Sequence, residues 1–263
     1  MNLVKKITSK LDLLLGDKTR INIKKCDFGF SCRINDFIVY SHEKGCITKA
    51  YDQIFLNEVY FFRSENNNPL IVDCGANIGL ATLYFKMIYP NARIIAIEPS
   101  REAYKSLVKN VRENKLTNVV CVNKAVSDII GTVNFTTNEI ISGSIREEKI
   151  MDNAYTVETC LLSSFLNEKV DMLKVDIEGA EKMVIPEIAD CLQNVDNLFL
   201  EFHSFVQETQ YLSVLLKTLE SKNFRYFIEN DSRNKLKRPF EEIPVSLNQD
   251  MQLNIWAKRK NVI

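Results

Sequence analysis

The segment LIVDCGANIG, residues 70–79, ends an apolar run with an acid and places two glycines before a helical pattern. Asp73 puts an acceptor where a strand would end, while Gly75 and Gly79 let the backbone approach a ligand or the next element closely. Asn77 stands where the dinucleotide fingerprint G-x-G-x-x-G needs glycine, and the carboxylate of Asp73 would repel a pyrophosphate. The turn therefore favours a nucleoside-type ligand that carries a cationic centre instead of phosphates.

Two further strand ends would complete a site for such a ligand, of which S-adenosylmethionine, with its sulfonium and amino group, is one. Glu98 follows the apolar segment RIIAI, and its carboxylate can accept hydrogen bonds from both hydroxyls of an adenosine ribose. After the next apolar segment, Ala125 and Val126 would sandwich the adenine, and Asp128 would accept from its exocyclic amine. Each residue alone would also suit an ordinary turn or helix cap. Their order at successive strand ends favours the cofactor site.

A second group of ionisable residues is not needed to bind this cofactor. Lys174 and Asp176 lie two apart in the strand LKVD, where a central parallel strand should be apolar, and Glu178 follows in the turn. Glu201 and His203 end the next strand, again two apart and on one face. Burying so many charges is costly unless they serve a function.

Methyl transfer would explain the second group, since the protein must then orient an acceptor and take its proton. His203, with an unperturbed pKa of about 6.5, is expected to act as general base, oriented by Glu201 or Asp176. Alternatively, four of these residues bind a divalent ion that lowers the pKa of the acceptor hydroxyl, namely Asp176, Glu178, Glu201 and His203. The metal-free base is the preferred interpretation. Lys174 is expected either to take part in catalysis or to form a structural ion pair with Asp176.

Two other ionisable residues are expected to have no part in the site. Glu181 would stabilise the first turn of its helix, where a carboxylate is favoured. His42 has no acidic strand end near it in sequence and is expected to be a surface residue.

The elements that position these residues alternate from residue 70 onward. Short apolar segments, the third of them VVCVNKAVSD, are separated by helical patterns at residues 80–89, 102–114, 180–191 and 207–222. The alternation predicts an α/β fold with a doubly wound, mostly parallel sheet. Two later segments, FRYFIEN and QLNIWAK, are expected to close that sheet as antiparallel edge strands.

The residues before this alternation predict a small extension. FIVYS is typical of a strand and KAYDQIFLNEVYFF of an aromatic-rich helix. The polar segment RSENNNP then marks a boundary, which divides the chain into an extension, residues 1–66, and a main domain, residues 67–263. Within residues 1–20 the apolar side chains follow helical spacing, so this segment would pack on the protein or associate peripherally with a membrane.

The composition limits the partners. Thirty-four basic and 34 acidic residues leave no net charge to attract nucleic acid or anionic lipid. The seven cysteines are scattered and odd in number, which favours reduced thiols over disulfides and argues against a structural zinc site. No segment reaches membrane-spanning length and no signal peptide is evident, so a cytoplasmic protein is expected. The sequence predicts no oligomeric state.

Five segments in order, IVDCGANIGLATLYF, AIEPS, NKAVSD, LKVDIEGAE and LFLEFH, resemble the FkbM family of S-adenosylmethionine-dependent methyltransferases. DIEGAE together with the acid-x-His strand end carries the specificity of the resemblance, whereas the opening turn alone is typical of methyltransferases in general. The resemblance implies a seven-stranded, Rossmann-like class I methyltransferase sheet and O-methylation of a hydroxyl, with a glycan or glycolipid sugar as expected acceptor. The segment IISGSIREE, residues 140–148, and the extension are expected to frame the acceptor pocket.

Two alternatives to a methyltransferase remain at this point. An NAD-dependent sugar oxidoreductase would share the fold, although Asn77 and Asp73 argue against it. A non-catalytic S-adenosylmethionine-binding protein would bind the cofactor yet tolerate the loss of Asp176, Glu201 and His203. The cost of burying that group of charges argues against the second alternative.

Overall fold

The computed structural model describes residues 21–137, 143–145, 155–230, 245 and 248–260. The helical pattern of residues 1–20 and most of the segment 140–148 lie outside these ranges. In chain order the described strands are β1 (Lys24–Cys26), β2 (Gly29–Ile34), β3 (Phe37–Ser41), β4 (Leu70–Cys74), β5 (Arg93–Ile97), β6 (Val119–Val122), β7 (Ala125–Ser127), β8 (Thr132–Thr137), β9 (Gly143–Ile145), β10 (Tyr155–Leu161), β11 (Val170–Val175), β12 (Val195–Phe205), β13 (Phe224–Asn230) and β14 (Gln249–Arg259). The α-helices are α1 (Lys44–Tyr51), α2 (Leu80–Ile88), α3 (Arg101–Glu113), α4 (Glu181–Glu187) and α5 (Leu212–Ser221).

Seven of these strands form the main sheet, in the spatial order β6-β5-β4-β11-β12-β14-β13. The first five are parallel to one another, and β14 is antiparallel to both of its neighbours. From β4 the chain continues to β5 and β6 on one side and later returns to β11 on the other, so the strand order reverses between β4 and β11. Ligands of such sheets bind beyond the carboxyl ends of the strands at the reversal. The predicted doubly wound α/β fold is confirmed.

Only one of the two C-terminal strands lies at an edge of the sheet, although both were predicted to do so. Both pair antiparallel with a neighbour, but β14 is an interior strand between β12 and β13, and only β13 lies at the edge. The side chains of Leu253, Ile255 and Ala257 in β14 are buried in the core, which suits an interior strand.

Helices pack on both faces of the sheet, because successive side chains of each strand point to opposite faces. Val72 of β4 belongs to an apolar cluster with Val184 of α4 and Leu215 of α5. Its neighbour Ile71 belongs to a second cluster, with Leu83 of α2. Since successive strand residues point to opposite faces, the two clusters form the two halves of the core.

The helix predicted from KAYDQIFLNEVYFF is shifted along the chain. Helical structure begins at Lys44, and after α1 it continues as a π-helix over Asp52–Leu56. Glu58 has a φ of 52°, and the chain then leaves the helix. Tyr60 and Phe62 are buried in the core cluster that also contains α2, and their burial there accounts for the early helix end.

The predicted extension shares this cluster with the main sheet. Cys46 and Ile47 of α1 are buried in it. Asn110 of α3 donates through Nδ2 to the carbonyl oxygens of Tyr40, at 2.9 Å, and Ile78, at 2.8 Å, while its Oδ1 accepts from the Tyr40 amide at 2.7 Å. The division at residues 66 and 67 stays a prediction, because the parts before and after it have a common core.

The remaining predicted elements differ in detail. VVCVNKAVSD is two strands, β6 and β7, since the side chain of Asn123 between them donates to the carbonyl oxygens of Glu98 and Pro99. β7 joins a smaller sheet with the order β7-β10-β8-β9. Helix α4 is shorter than its pattern, and α5 begins at Leu212 instead of residue 207. Among the described helices, none is long and apolar enough to cross a membrane.

Candidate functional site

The turn after β4 packs against two neighbouring strand ends. The amides of Gly75 and Ala76 both donate to the carbonyl oxygen of Ile97, at 2.9 and 3.0 Å. A Cβ on Gly75, whose φ is 75°, would lie 1.8 Å from the carbonyl oxygen of Asp176. The amide of Asp176 in turn donates to the carbonyl oxygen of Cys74 at 3.1 Å. Glycine is therefore needed at position 75 for the close approach of the next element.

Gly79, the second predicted glycine, has the same role at the start of α2. Its φ is 86°, and a Cβ there would lie 2.7 Å from Cδ1 of Leu107 in α3. Asn77 between the two glycines also has a positive φ, of 50°. These backbone conformations produce a compact turn at the carboxyl end of β4.

A buried ion pair lies directly beneath this turn. Lys174 of β11 and Asp73 of β4 have side chains 3% and 0% exposed, and their Nζ and Oδ1 atoms are 3.3 Å apart. Lys174 also donates to the carbonyl oxygens of Cys74, at 3.3 Å, and Gly75, at 2.9 Å. Thr82 donates to the other carboxylate oxygen of Asp73 at 3.1 Å. The structure thus places Asp73 against Lys174 and Thr82 beneath the turn. The cation that the carboxylate was predicted to face in a ligand is therefore supplied by the protein itself.

The same lysine reaches the second group of charges. Lys174 Nζ lies 3.7 Å from Oδ2 of Asp176, as expected for two residues on one strand face. Burial alone would lower the pKa of Lys174, but the carboxylates of Asp73 and Asp176 raise it well above its ordinary value. Lys174 therefore stays charged and joins the turn after β4 to the acids that follow β11.

Glu98 links two turns through its carboxylate. Oε2 accepts a hydrogen bond from the Asn77 amide at 2.7 Å, and Oε1 accepts one from the Ser100 amide at 2.8 Å. Burial raises the pKa of Glu98 to about 7, although both amides favour the charged form. The carboxylate thus lies beside the turn after β4, where a ribose was predicted.

The residues predicted to contact adenine lie on β7 or just after it. Ala125 and Val126 are buried, whereas Asp128 is exposed and accepts a hydrogen bond from the Ser127 hydroxyl at 3.2 Å. The bond from Asn123 to the Glu98 carbonyl oxygen ties this segment to the Glu98 strand end.

The predicted acids, joined by Glu181, meet around His203, a buried residue of β12. Nε2 of its ring lies 3.4 Å from Oε2 of Glu178 and 3.7 Å from Oε1 of Glu201, while Nδ1 lies 3.1 Å from Oε1 of Glu181. Ligand atoms of Asp176, Glu178 and His203 all lie within 4.8 Å of one another. We call these five residues the acidic cluster.

Burial and the neighbouring charges shift the pKa values of the residues in the acidic cluster. Burial opposes the imidazolium of His203, but the surrounding carboxylates, Glu181 foremost, hold its pKa well above the ordinary value. Burial raises the pKa of Asp176 to about 7 and that of Glu178 to about 8. Burial acts in the same direction on Glu201, but His203 outweighs it and lowers the pKa of Glu201. The ring is thus positively charged near neutral pH, and it must lose a proton before it can act as a base.

Glu181 has a larger part than the sequence indicated. It stands in the first turn of α4 and accepts from the Gly179 amide at 3.1 Å, yet the same oxygen orients His203. Glu181 follows Glu178 by three residues in a helix-forming segment, and this spacing could have predicted that the two side chains lie close together. Gln252, which lies opposite His203 in β14 and donates to Glu201, was not predictable, because nothing in sequence indicates that register.

His42 is not the surface residue that was predicted. It is half-buried, its Nδ1 lies 3.2 Å from the hydroxyl oxygen of Ser106, and burial lowers its pKa. The packing of β3 against α3 produces this environment and leaves no local signal in the sequence.

Comparison with known proteins decides the family. A family model described as the methyltransferase FkbM domain matches residues 73–226, more than half of the chain. The chain belongs to the FkbM family of S-adenosylmethionine-dependent methyltransferases. The FkbM match includes the turn after β4, Glu98 and the whole acidic cluster.

Relatives of this FkbM chain include enzymes and a solved structure. Methyltransferase sdnD of Sordaria araneosa is 32% identical over 171 residues, which cover 51% of this chain and 66% of sdnD. The 2-O-methyltransferase NoeI of Sinorhizobium fredii (strain NBRC 101917 / NGR234) is 26% identical over 159 residues, which cover 52% of this chain and 65% of NoeI. The crystal structure of methyltransferase FkbM from Methylobacillus flagellatus KT aligns with a TM-score of 0.50 at 15% identity, over 76% of this chain and 46% of that one. This chain thus spans less than two thirds of each of these relatives.

Proposed function

We propose that this FkbM-family protein is an O-methyltransferase that transfers the methyl group of S-adenosylmethionine to a hydroxyl of a sugar in a glycan or glycolipid. The observation that carries the proposal is the position of the acidic cluster. Lys174 joins it to the turn after β4, so groups able to orient a hydroxyl and take its proton lie beside the predicted cofactor turn.

The cofactor would occupy the crevice at the reversal of strand order. Glu98 accepts the ribose hydroxyls, and the segment with Ala125, Val126 and Asp128 holds the adenine. The turn from Gly75 to Gly79 faces the methionine part of the cofactor. Asp73 contributes by holding Lys174, and through it the backbone of that turn.

In the proposed reaction the acceptor oxygen attacks the methyl carbon. The new O–C bond forms as the C–S bond breaks, and the hydroxyl proton passes to a group of the acidic cluster. Glu201 and His203 are the candidate proton acceptors. Because the carboxylates keep His203 charged, Glu201 is the group that starts in the proton-accepting form.

Two considerations support a sugar hydroxyl as acceptor. The relative NoeI carries the name 2-O-methyltransferase, which is an oxygen-directed activity. Neighbouring hydroxyls of a sugar also match the several hydrogen-bond acceptors that the acidic cluster presents. The proposed setting is the cytoplasm, where the free cysteines would stay reduced, and no nucleic-acid partner is proposed.

The test is calorimetric titration of the purified chain at pH 8 with S-adenosylhomocysteine and, separately, with NAD. Binding of the homocysteine product is expected, with no binding of NAD. In Glu98→Gln the Kd should rise about tenfold or more, since hydrogen bonds to a charged group contribute about 1.5–3 kcal/mol. The exposed Glu102, paired with Lys105, provides the control variant Glu102→Gln, which should bind as the unaltered chain does.

Other outcomes would overturn parts of the proposal. Binding of NAD in place of S-adenosylhomocysteine would favour an oxidoreductase. Cofactor binding without any methyl transfer to sugars, and unaffected by loss of Glu201, would favour a non-catalytic binding protein. An unchanged Kd in Glu98→Gln would remove the ribose assignment alone.

A further inference from the structure

The acidic cluster holds more negative than positive charge. Four carboxylates, those of Asp176, Glu178, Glu181 and Glu201, surround the single ring of His203. Lys174 is the nearby cation among the described residues, but Asp73 and two carbonyl oxygens already hold it. Buried carboxylates in such excess take up protons or bind a further cation.

The ring of His203 supplies an independent sign of a ligand. Its side chain is 1% exposed, and Nε2 makes no hydrogen bond of acceptable geometry, although Glu178 and Glu201 approach within 3.4 and 3.7 Å. Nδ1, in contrast, is held by Glu181 at 3.1 Å. Metal-binding histidines commonly show this arrangement, in which a carboxylate orients one ring nitrogen and the other faces the metal.

The backbone of Glu178 adopts an unfavourable conformation next to His203. Its φ of 55° lies in the left-handed region, which costs a residue with a Cβ about 1–2 kcal/mol. Gly179 follows with a φ of 101°, and a Cβ there would lie 2.6 Å from the ring of Phe205. This strained turn directs the carboxylate of Glu178 towards Nε2 of His203, and such strain is often found where a site is preorganised.

We propose that Asp176, Glu178 and His203 bind one divalent cation of the Mg²⁺ or Mn²⁺ type. Two carboxylates and one imidazole are ligands that Mn²⁺ accepts, and three protein ligands leave further positions open. Glu181 is then a positioning residue that orients the histidine. The part of the inference that rests on the proposed function is the role of the ion, which would bind the acceptor hydroxyl and lower its pKa. The proton released from that hydroxyl passes to Glu201, and His203 serves as a ligand instead of the base.

The experiment measures Mn²⁺ binding directly, without cofactor or acceptor. The purified full chain is freed of metal with EDTA, the EDTA is removed, and Mn²⁺ is titrated while the free-ion signal is followed by electron paramagnetic resonance. We expect saturation at about one ion per chain, since the cluster presents one set of three ligands. Asp176→Asn and Glu178→Gln should abolish it, and Glu181→Gln should weaken it about 10–100-fold.

Matched controls separate binding from misfolding. Asp190, whose side chain is 99% exposed and pairs with Lys222, gives the control variant Asp190→Asn, which should bind Mn²⁺ as the unaltered chain does. Circular dichroism establishes that each variant is folded, and the two ligand variants provide independent readings. Absence of Mn²⁺ binding by the unaltered chain, or normal binding by both ligand variants, would overturn the proposal.

The two titrations also show whether a metal ion or the amino group of the cofactor is the positive partner of the acidic cluster. If Mn²⁺ does not bind and Asp176→Asn weakens S-adenosylhomocysteine binding, the cluster serves the amino group of the cofactor, and the metal proposal falls while the methyltransferase stands. If Mn²⁺ binds but S-adenosylhomocysteine does not, the proposed function falls and the ion site stands.

Discussion

At Gly75 two strand ends come so close that a methyl group has no room. The carbonyl oxygen of Asp176 lies where a Cβ would be, and the positive φ disfavours any other residue. This contact places the turn after β4 and the first acid of the cluster side by side. The glycine was predictable from sequence, but its neighbour was not, because the contact joins residues 101 positions apart.

Gly75→Ala should therefore destabilise the protein strongly. Backbone strain alone costs about 1–3 kcal/mol, and displacement of Asp176 adds to it. Gly131→Ala is the matched control, since nothing lies within 4 Å of a Cβ there, and its free energy of unfolding should change by less than about 0.5 kcal/mol. Urea unfolding measures both. Equal effects of the two substitutions would show that the close approach at Gly75 is not a constraint.

The sequence predicted most members of the acidic cluster, but it did not predict which of them contact one another. Asp176, Glu201 and His203 were found because strand alternation places residues two apart on one face. Glu181 was assigned only to its helix, since a helix start explains an acid there without any reference to β12. Contacts between distant segments depend on packing that no local pattern encodes.

Helix α3 connects the N-terminal elements to the main sheet. Asn110 is fully buried and makes three hydrogen bonds, to Tyr40 and Ile78, while Asn114, one turn later, is bonded on both sides to the exposed end of β3 at Ile38. Both asparagine side chains therefore bond α3 to the backbone of β3, one in a buried position and the other in an exposed one.

Asn110→Ala should loosen that attachment much more than Asn114→Ala. Leaving polar groups of β3 and of the turn after β4 unsatisfied costs about 1–3 kcal/mol, whereas water can replace the exposed bonds at about 0.5–1 kcal/mol. Amide hydrogen exchange of β2 and β3 measures the loss of protection locally. Similar exchange rates in the two variants would mean that the burial of Asn110 does not matter for this contact.

At the level of elements, the sequence predicted the alternation but not every boundary. The segment VVCVNKAVSD is apolar throughout, so it resembled one strand, yet a side chain bonding to the neighbouring backbone divides it. The apolar segment of β14 was identified, but whether it lay at an edge or in the interior depended on β13 pairing beyond it.

Across the whole molecule, buried carboxyl groups should make stability depend on pH. Glu98 has a folded-state pKa of about 7 against an ordinary 4.5. Between these values the folded protein holds a proton that the unfolded chain releases. This stabilisation is fully present below pH 4.5 and is lost as pH rises to 7, and its size is up to about 3 kcal/mol.

Glu98→Gln should remove that pH dependence, because the amide resembles the protonated acid in shape and never ionises. In urea unfolding of the ligand-free, EDTA-treated chain, the variant should be less stable than the unaltered protein near pH 5, because its NH2 group cannot accept the hydrogen bond of one of the two backbone amides that Glu98 holds. Its stability relative to the unaltered protein should then rise between pH 5 and pH 8. Stability curves that run parallel from pH 5 to pH 8 would contradict the raised pKa. The ionised acid is thus unfavourable for folding at a position where the proposed ribose contact needs it.

The placement of β14 bears on how this protein is made. Strand β12 carries His203 and Glu201, and its free side is paired only by residues 249–259, which leave the ribosome after every other described strand. Until then a nascent chain presents β12 as an open edge that another polypeptide can pair with. Strand β12 is therefore open to wrong pairing with another polypeptide until residues 249–259 have been made.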